Sequence, residues 1–208
     1  MAQSARAPVI NDQRATVTTA GGQQLVIDTL QPANADLSIS TQVPNGYGYN
    51  ETAVGEMMTH RLKVEAPGGP ATVRFLHVLQ GVDAGAAVAP VTSIESSSGT
   101  AFAGAVVKET VVLFPVEWGA AFSGVTYSVP ATVNQHLITG LTPSAGYDVV
   151  QQLVNGQVQV TITPNGSMFT ADSGGVLVAS NQLTAASLAG GTVAPALTER
   201  LYLPLATR

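Results

Sequence analysis

The chain is a succession of short runs rich in Val, Ile, Thr, Phe and Tyr, each closed by Gly, Pro, Asn or Asp. Helical periodicity is nearly absent. Runs of this kind between turn residues are the signature of strands in sandwiches and barrels. The pattern predicts strands at 14–19, 24–30, 37–42, 56–65, 71–80, 91–97, 101–108, 109–115, 124–129, 133–139, 146–153, 157–163, 167–170 and 176–179. In 157–163 the residues Val158, Val160 and Ile162 share one face, and Gln and Thr share the other. That is a half-buried antiparallel strand with one wet face. In 73–79 both faces are mostly apolar, which predicts a central strand covered on both sides.

Turn chemistry punctuates the runs. Asn155-Gly156 separates two of them, and Asn-Gly is the preferred pair for a tight type I′ hairpin, where both central residues need positive φ. The stretch 66–70, Ala-Pro-Gly-Gly-Pro, cannot hold a strand and is read as a loop; 172–175 is read as a turn. Leu141, then Pro143, then Tyr147 opening a Val-rich run is the pattern of a tyrosine corner. There the ring packs into the end of a sandwich and its hydroxyl bonds to backbone just upstream. Tyr147, Leu141, Asn155 and Gly156 are therefore structural candidates. The fold class that follows is all-β, an antiparallel β-sandwich, with the option of a larger sandwich followed by a smaller fibronectin- or immunoglobulin-like one. The organisation expected is an N-terminal arm at 1–11, a β-sandwich region at 12–180 with a subdivision near 90–100, and a C-terminal extension or edge strand at 181–208.

Composition narrows the function more than the fold. Hydrophobic residues make up 45% of the 208 and charged residues only 10%, against about 25% charged in an average soluble domain. The exposed surface must be largely Thr, Ser, Gln, Asn, Gly and Ala, a surface that suits close packing against partners or copies of itself. The formal net charge is -5, and the lysines are Lys63 and Lys108 alone. Phosphate recognition needs clustered cations, so nucleic acid is not an expected partner. The chain has no cysteine, which excludes disulfides, thiolate-ligated zinc and thiol catalysis. No apolar run reaches the 18 or so residues of a membrane helix. Residues 1–6 contain no apolar signal-peptide core, so the chain is either cytosolic or the mature part or a fragment of an exported protein; low charge, few lysines and abundant Thr, Ser, Gly and Val favour the second. The expected location is extracellular or at the cell surface.

No catalytic constellation stands out, and no cofactor or metal is expected. His60, His77 and His136 fall on different expected strands without metal-ligand spacing. The reading is three structural or surface histidines. The 13 carboxylates are scattered, whereas a glycosidase holds two across a cleft; Asp28 and Glu117 are read as solvated. Asp83 and Asp172 lie in Gly-containing turns but lack the closely spaced oxygen ligands of a calcium loop. There is no Gly-x-Ser-x-Gly elbow and no phosphate-binding glycine loop ahead of a helix. The segment 44–50, Pro-Asn-Gly-Tyr-Gly-Tyr-Asn, places Tyr47 and Tyr49 beside amide side chains, and Trp118 is the single tryptophan. Exposed rings beside amides suit stacking on sugar faces. Tyr47, Tyr49 and Trp118 are the carbohydrate-binding candidates; the competing reading has them packed at the sandwich ends or in a subunit contact.

Residues 61–67 and 74–80, then Val111-Val112-Leu113-Phe114-Pro115, 136–143 and 172–177, preceded by 24–30 and Pro32, occur in an order that resembles the C-terminal β-sandwich region of heparinase II/III-like polysaccharide lyases and related secreted bacterial proteins. The resemblance is one of pattern and spans roughly 12–180. In such lyases a helical toroid supplies most of the catalytic machinery, and this chain has no sequence for one. The resemblance therefore implies a non-catalytic accessory module, with polysaccharide or an absent catalytic domain as partner. A second reading is a self-assembling fibre or surface-layer subunit, a homo-oligomer or filament. Its basis is the nearly uncharged surface and the apolar Leu201, Tyr202, Leu203 and Leu205, which could add as a strand to a neighbour's sheet edge.

Overall fold

The computed structural model describes residues 7–41 and 60–180. Within them every regular element is a β-strand, and the strands form sheets of four, five, five and two members. The four-stranded sheet has the order β1-β2-β3-β6, made of β1 (Val9–Asn11), β2 (Arg14–Thr18), β3 (Gln24–Gln31) and β6 (Leu76–Val82), all antiparallel. The two-stranded ribbon pairs β4 (Asp36–Thr41) with β5 (His60–Glu65). Val9–Asn11, expected within an arm, instead pair with β2.

The remaining strands make a two-sheet sandwich, so the larger unit comes second along the chain. Sheet I runs β16-β12-β10-β9-β7, made of β16 (Leu177–Ser180), β12 (Gln135–Ile138), β10 (Thr110–Pro115), β9 (Phe102–Val107) and β7 (Val91–Glu95). Sheet II runs β15-β13-β14-β11-β8, made of β15 (Phe169–Thr170), β13 (Gly146–Val154), β14 (Gln157–Pro164), β11 (Val125–Pro130) and β8 (Ser98–Gly99). The inward residues of the two sheets meet in one core. It includes Val111, Leu113, His136, Ile138, Leu177 and Ala179 from sheet I and Val125, Tyr127, Val129, Val158, Val160 and Ile162 from sheet II. The period of two puts these residues there: in β11 and β14 every second side chain is buried and its neighbours are not. Each aliphatic side chain so buried contributes roughly 1.5–3 kcal/mol against unfolding.

Local chemistry fixes the register. Asn155 (φ 51°) and Gly156 (φ 78°) join β13 to β14, both in the left-handed region. The hairpin pairs Val154 with Gln157 and runs without a break to Tyr147 and Pro164. Gly104 lets β9 lie close on β10, because a Cβ there would sit 1.8 Å from the Val112 carbonyl oxygen. β10 and β12 pair in parallel, which a hairpin cannot produce. The chain crosses to sheet II for β11 and returns beside β10, a crossover connection.

One strand departs from expectation. The doubly apolar run 71–80 is not a central strand. Its first residues, 71–75, lie outside any strand, and β6 pairs only with β3. Pro70 and the preceding loop delay the strand, leaving Val73, Phe75 and Leu79 exposed rather than covered.

Candidate functional site

The sandwich end formed by the β10–β11 connection is built from the core outward. Phe122 in that connection makes edge-to-face contacts with Phe102 at 6.0 Å and with Tyr147 at 5.6 Å between ring centroids. Such pairs contribute about 0.5–1.5 kcal/mol beyond their burial, and here they anchor the loop. Its first residue is held on both sides. The Val116 N–H donates to Ala101 at 2.9 Å, and the Val116 carbonyl accepts from the Arg74 guanidinium at 3.4 Å. Between these anchors Glu117–Ala120 form a turn closed by the Ala120 N–H to the Glu117 carbonyl, with Gly119 at φ 81°. Trp118 stands at the tip of this turn, 93% exposed. Exposed Phe75, next to the anchoring Arg74, stacks on His77 at 6.0 Å with a 10° angle between rings. Of the three sugar-binding candidates only Trp118 lies in the described residues; Tyr47 and Tyr49 lie outside them.

The outside of sheet II is a polar sheet face. The cross-strand register on the outside of sheet II places Thr126 opposite Thr161, and Ser128 opposite Gln159, which is itself opposite Gln152. Thr126 and Thr161 hydroxyls lie 3.2 Å apart. The face is therefore mainly hydroxyl and amide, with exposed Val150 and Val154 at its β13 side. Its one carboxylate, Asp148, is engaged, accepting the N–H groups of Ser167 at 2.9 Å and Met168 at 3.2 Å. Such a surface offers donors and acceptors without net charge.

The outside of sheet I is different. Val178, Leu137, Val112 and Ala105 stand side by side on four adjacent strands. Phe114 lies in the adjoining row, opposite Ala103. Val178 and Phe114 are about half exposed.

The titratable residues are spread over separate sheets. His60 is on β5, His77 on β6 and His136 on β12, and among the described residues no three His, Cys, Asp or Glu side chains group as metal ligands. His77 Nδ1 lies 3.1 Å from the Thr29 hydroxyl. Asp28, expected to be solvated, is instead nearly buried. It accepts from the Arg14 guanidinium at 2.6 Å and from the Gln80 amide at 3.5 Å, so a charge-assisted bond offsets its desolvation. Glu117 is exposed beside Trp118. Asp172 caps its own turn, accepting from Gly174 and Val176 N–H groups, both at 2.8 Å.

His136 is fully buried, and its Nδ1 lies 2.8 Å from the Tyr127 hydroxyl, also in the core. Either the phenol or Nδ1–H donates across this contact, according to the imidazole tautomer. The second ring nitrogen, Nε2, has no hydrogen-bond partner among the described residues. Burial pushes the imidazole pKa down to about 4 and raises that of the Tyr127 phenol. The sequence held the signal for this pair. Alternation in Val125-Thr126-Tyr127-Ser128-Val129 turns Tyr127 inward, and an inward phenol needs a polar partner. The remaining structural candidates sit at the ends of the sandwich. Tyr147 is buried and its hydroxyl accepts the Thr142 N–H at 3.0 Å, while Leu141 fills the core beside it. Leu201, Tyr202, Leu203 and Leu205 lie outside the described residues. Among the described residues no helix is long and apolar enough to cross a membrane. Neither the family models nor the curated proteins compared with this chain match it.

Proposed function

We propose that this chain is a non-catalytic β-sandwich module of an exported, polysaccharide-associated protein, and that its ligand is a neutral glycan. Trp118 carries the reading. An indole holds roughly 150–250 Å² of largely apolar surface. This one stands at the tip of the Glu117–Ala120 turn, 93% exposed. A flat, exposed ring suits stacking on the apolar face of a sugar. The hydroxyl and amide face of sheet II adds hydrogen-bonding groups that match sugar hydroxyls without attracting or repelling charge. A polyanionic glycan is disfavoured, because the net charge is -5 and cations are few. Arg14 is engaged by Asp28, and Lys63 pairs with Glu65 at 2.7 Å. The non-catalytic reading rests on where the perturbed groups lie: Tyr127 and His136 are sealed in the core, out of reach of a substrate. The test is adsorption of the purified protein to insoluble neutral and acidic polysaccharides, with and without Trp118→Ala. Retention on a neutral polymer, weakened about tenfold by the substitution, is expected, since losing one stacking contact costs about 1 kcal/mol or more. Equal retention of both proteins would contradict the reading.

A second reading, an assembling fibre or surface-layer subunit, is favoured by one observation: the apolar strip outside sheet I. Light scattering across a concentration series tests it. Growth of the particle with concentration supports assembly, and a constant monomer mass removes it.

A further inference from the structure

Phe75 is an exposed residue in the connection that leads into β6. Its ring lies nearly parallel to that of His77, with 6.0 Å between centroids and 10° between planes. His77 Nδ1 in turn lies 3.1 Å from the hydroxyl of Thr29, which is buried. Contacts therefore run from a buried hydroxyl out to an exposed ring and favour one orientation of it. The preceding residue, Arg74, donates through its guanidinium to the Val116 carbonyl at 3.4 Å. Phe75 is one residue from one end of that bond, and Trp118 is two residues from the other. These steps amount to at most about 4 and about 8 Å of backbone. The two exposed rings thus stand on loops that are bonded to each other.

We propose that Phe75 is a second stacking position of the glycan site, so that the ligand is a chain of several neutral sugar units rather than a single sugar. The inference rests on the reading of Trp118 as a glycan-binding residue and extends it. One ring takes one sugar face; two rings on bonded loops engage two units of the same chain, and linking two weak contacts multiplies their effect. A single exposed apolar side chain needs no explanation of this kind, and Leu79 on β6 is such a residue. Phe75 differs from it in presenting a flat ring, in being backed by His77, and in being joined through Arg74 to the loop of Trp118. Arg74 also supplies the polar part of the position. A guanidinium carries five N–H donors, and among the described residues Arg74 gives one of them, to Val116. Its other donors suit sugar hydroxyls beside the rings. Arg74 and Glu117 bring opposite charges to this corner, so it selects neither an anionic nor a cationic chain.

The experiment uses the full chain and measures retention on an insoluble neutral polysaccharide, with soluble oligosaccharides and the monosaccharide of the same polymer as competitors. The variants are Trp118→Ala, Phe75→Leu, which keeps an apolar side chain but no ring, Phe75→Trp, which keeps a ring, and Leu79→Ser. Phe75→Leu should weaken retention about threefold to tenfold, and Phe75→Trp should restore it. Leu79→Ser should leave retention unchanged. In the wild-type chain the longer oligosaccharides should compete better than the monosaccharide, and Phe75→Leu should reduce that advantage while competition by the monosaccharide stays as it was. Loss of retention in Trp118→Ala with none in Phe75→Leu would overturn the second position and leave the Trp118 reading standing. Absence of retention in the wild-type chain would remove both. Equal losses in Phe75→Leu and Leu79→Ser would reduce the effect to general apolar adsorption and also overturn the proposal. A length advantage that survives Phe75→Leu unchanged would do the same.

Discussion

Acidification should weaken the sandwich through His136, and the size of the effect follows from its burial. In the folded chain the imidazole titrates at about 4; in the unfolded chain it should titrate near its ordinary value of about 6.5. The folded-state pKa is depressed, so between these values the unfolded state binds more protons. Stability therefore rises with pH across that window and is lost as pH falls through it. The gap of about 2.5 units corresponds to about 3 kcal/mol in full, with about 2 kcal/mol already lost near pH 5. Above about pH 6.5 the histidine is neutral in both states and its contribution is flat. The acid range also spans ordinary carboxylate titration, so the histidine share needs a reference protein. The double substitution Tyr127→Phe with His136→Leu removes both polar partners together, and such a replacement can be nearly neutral at pH 7. It also removes the Nε2 atom that has no partner. The assay is urea unfolding followed by far-ultraviolet circular dichroism at a series of pH values from about 7 to 4. The wild-type chain should lose about 2–3 kcal/mol more than the double variant over that range. Parallel loss in both would refute the assignment of a buried, neutral His136.

The remaining expectations concern single positions. Gly104→Ala should prevent folding of the sandwich, seen as insoluble expression, because its Cβ would meet the Val112 carbonyl at 1.8 Å in the β9–β10 ladder. Leu141→Ala should cost about 2–4 kcal/mol in urea unfolding, since Leu141 is part of the packed core. Tyr147→Phe removes the acceptor of the Thr142 N–H and should cost about 1 kcal/mol with no change in the core. Trp118→Ala should leave the unfolding midpoint within about 0.5 kcal/mol of wild type, because the side chain is 93% exposed.

The sandwich was legible in the sequence because its outer and inner faces differ along each strand. In β14, Val158, Val160 and Ile162 alternate with Gln and Thr, and the structure buries the first set and exposes the second. Local turn chemistry was legible for the same reason that it is local: Asn155 and Gly156 both hold positive φ. Partnerships between distant strands were not. The run 71–80 is apolar on both faces, but apolar content does not say whether a neighbour exists, and β6 proved to be an edge of its sheet. Nor does period two say which strand lies beside which, so the parallel β10–β12 pair was invisible. Asp28 looked solvated because its partners, Arg14 and Gln80, reach it across two strand pairings that only the register defines. The apolar row outside sheet I has the same origin, since it exists only once four strands are aligned. For the candidate site, the rarity of Trp118 marked it in the sequence, whereas its full exposure came from the loop anchors at Val116 and Phe122.

The central claim is that this module binds neutral polysaccharide through Trp118 and does not cut it. The direct measurement is incubation of the purified chain with an insoluble neutral polysaccharide, followed by assay of both bound protein and released sugar ends. Retention that falls about tenfold in Trp118→Ala, with no new reducing or unsaturated ends released by either protein, is the predicted result. Release of chain ends with turnover, or retention indifferent to Trp118, would contradict it.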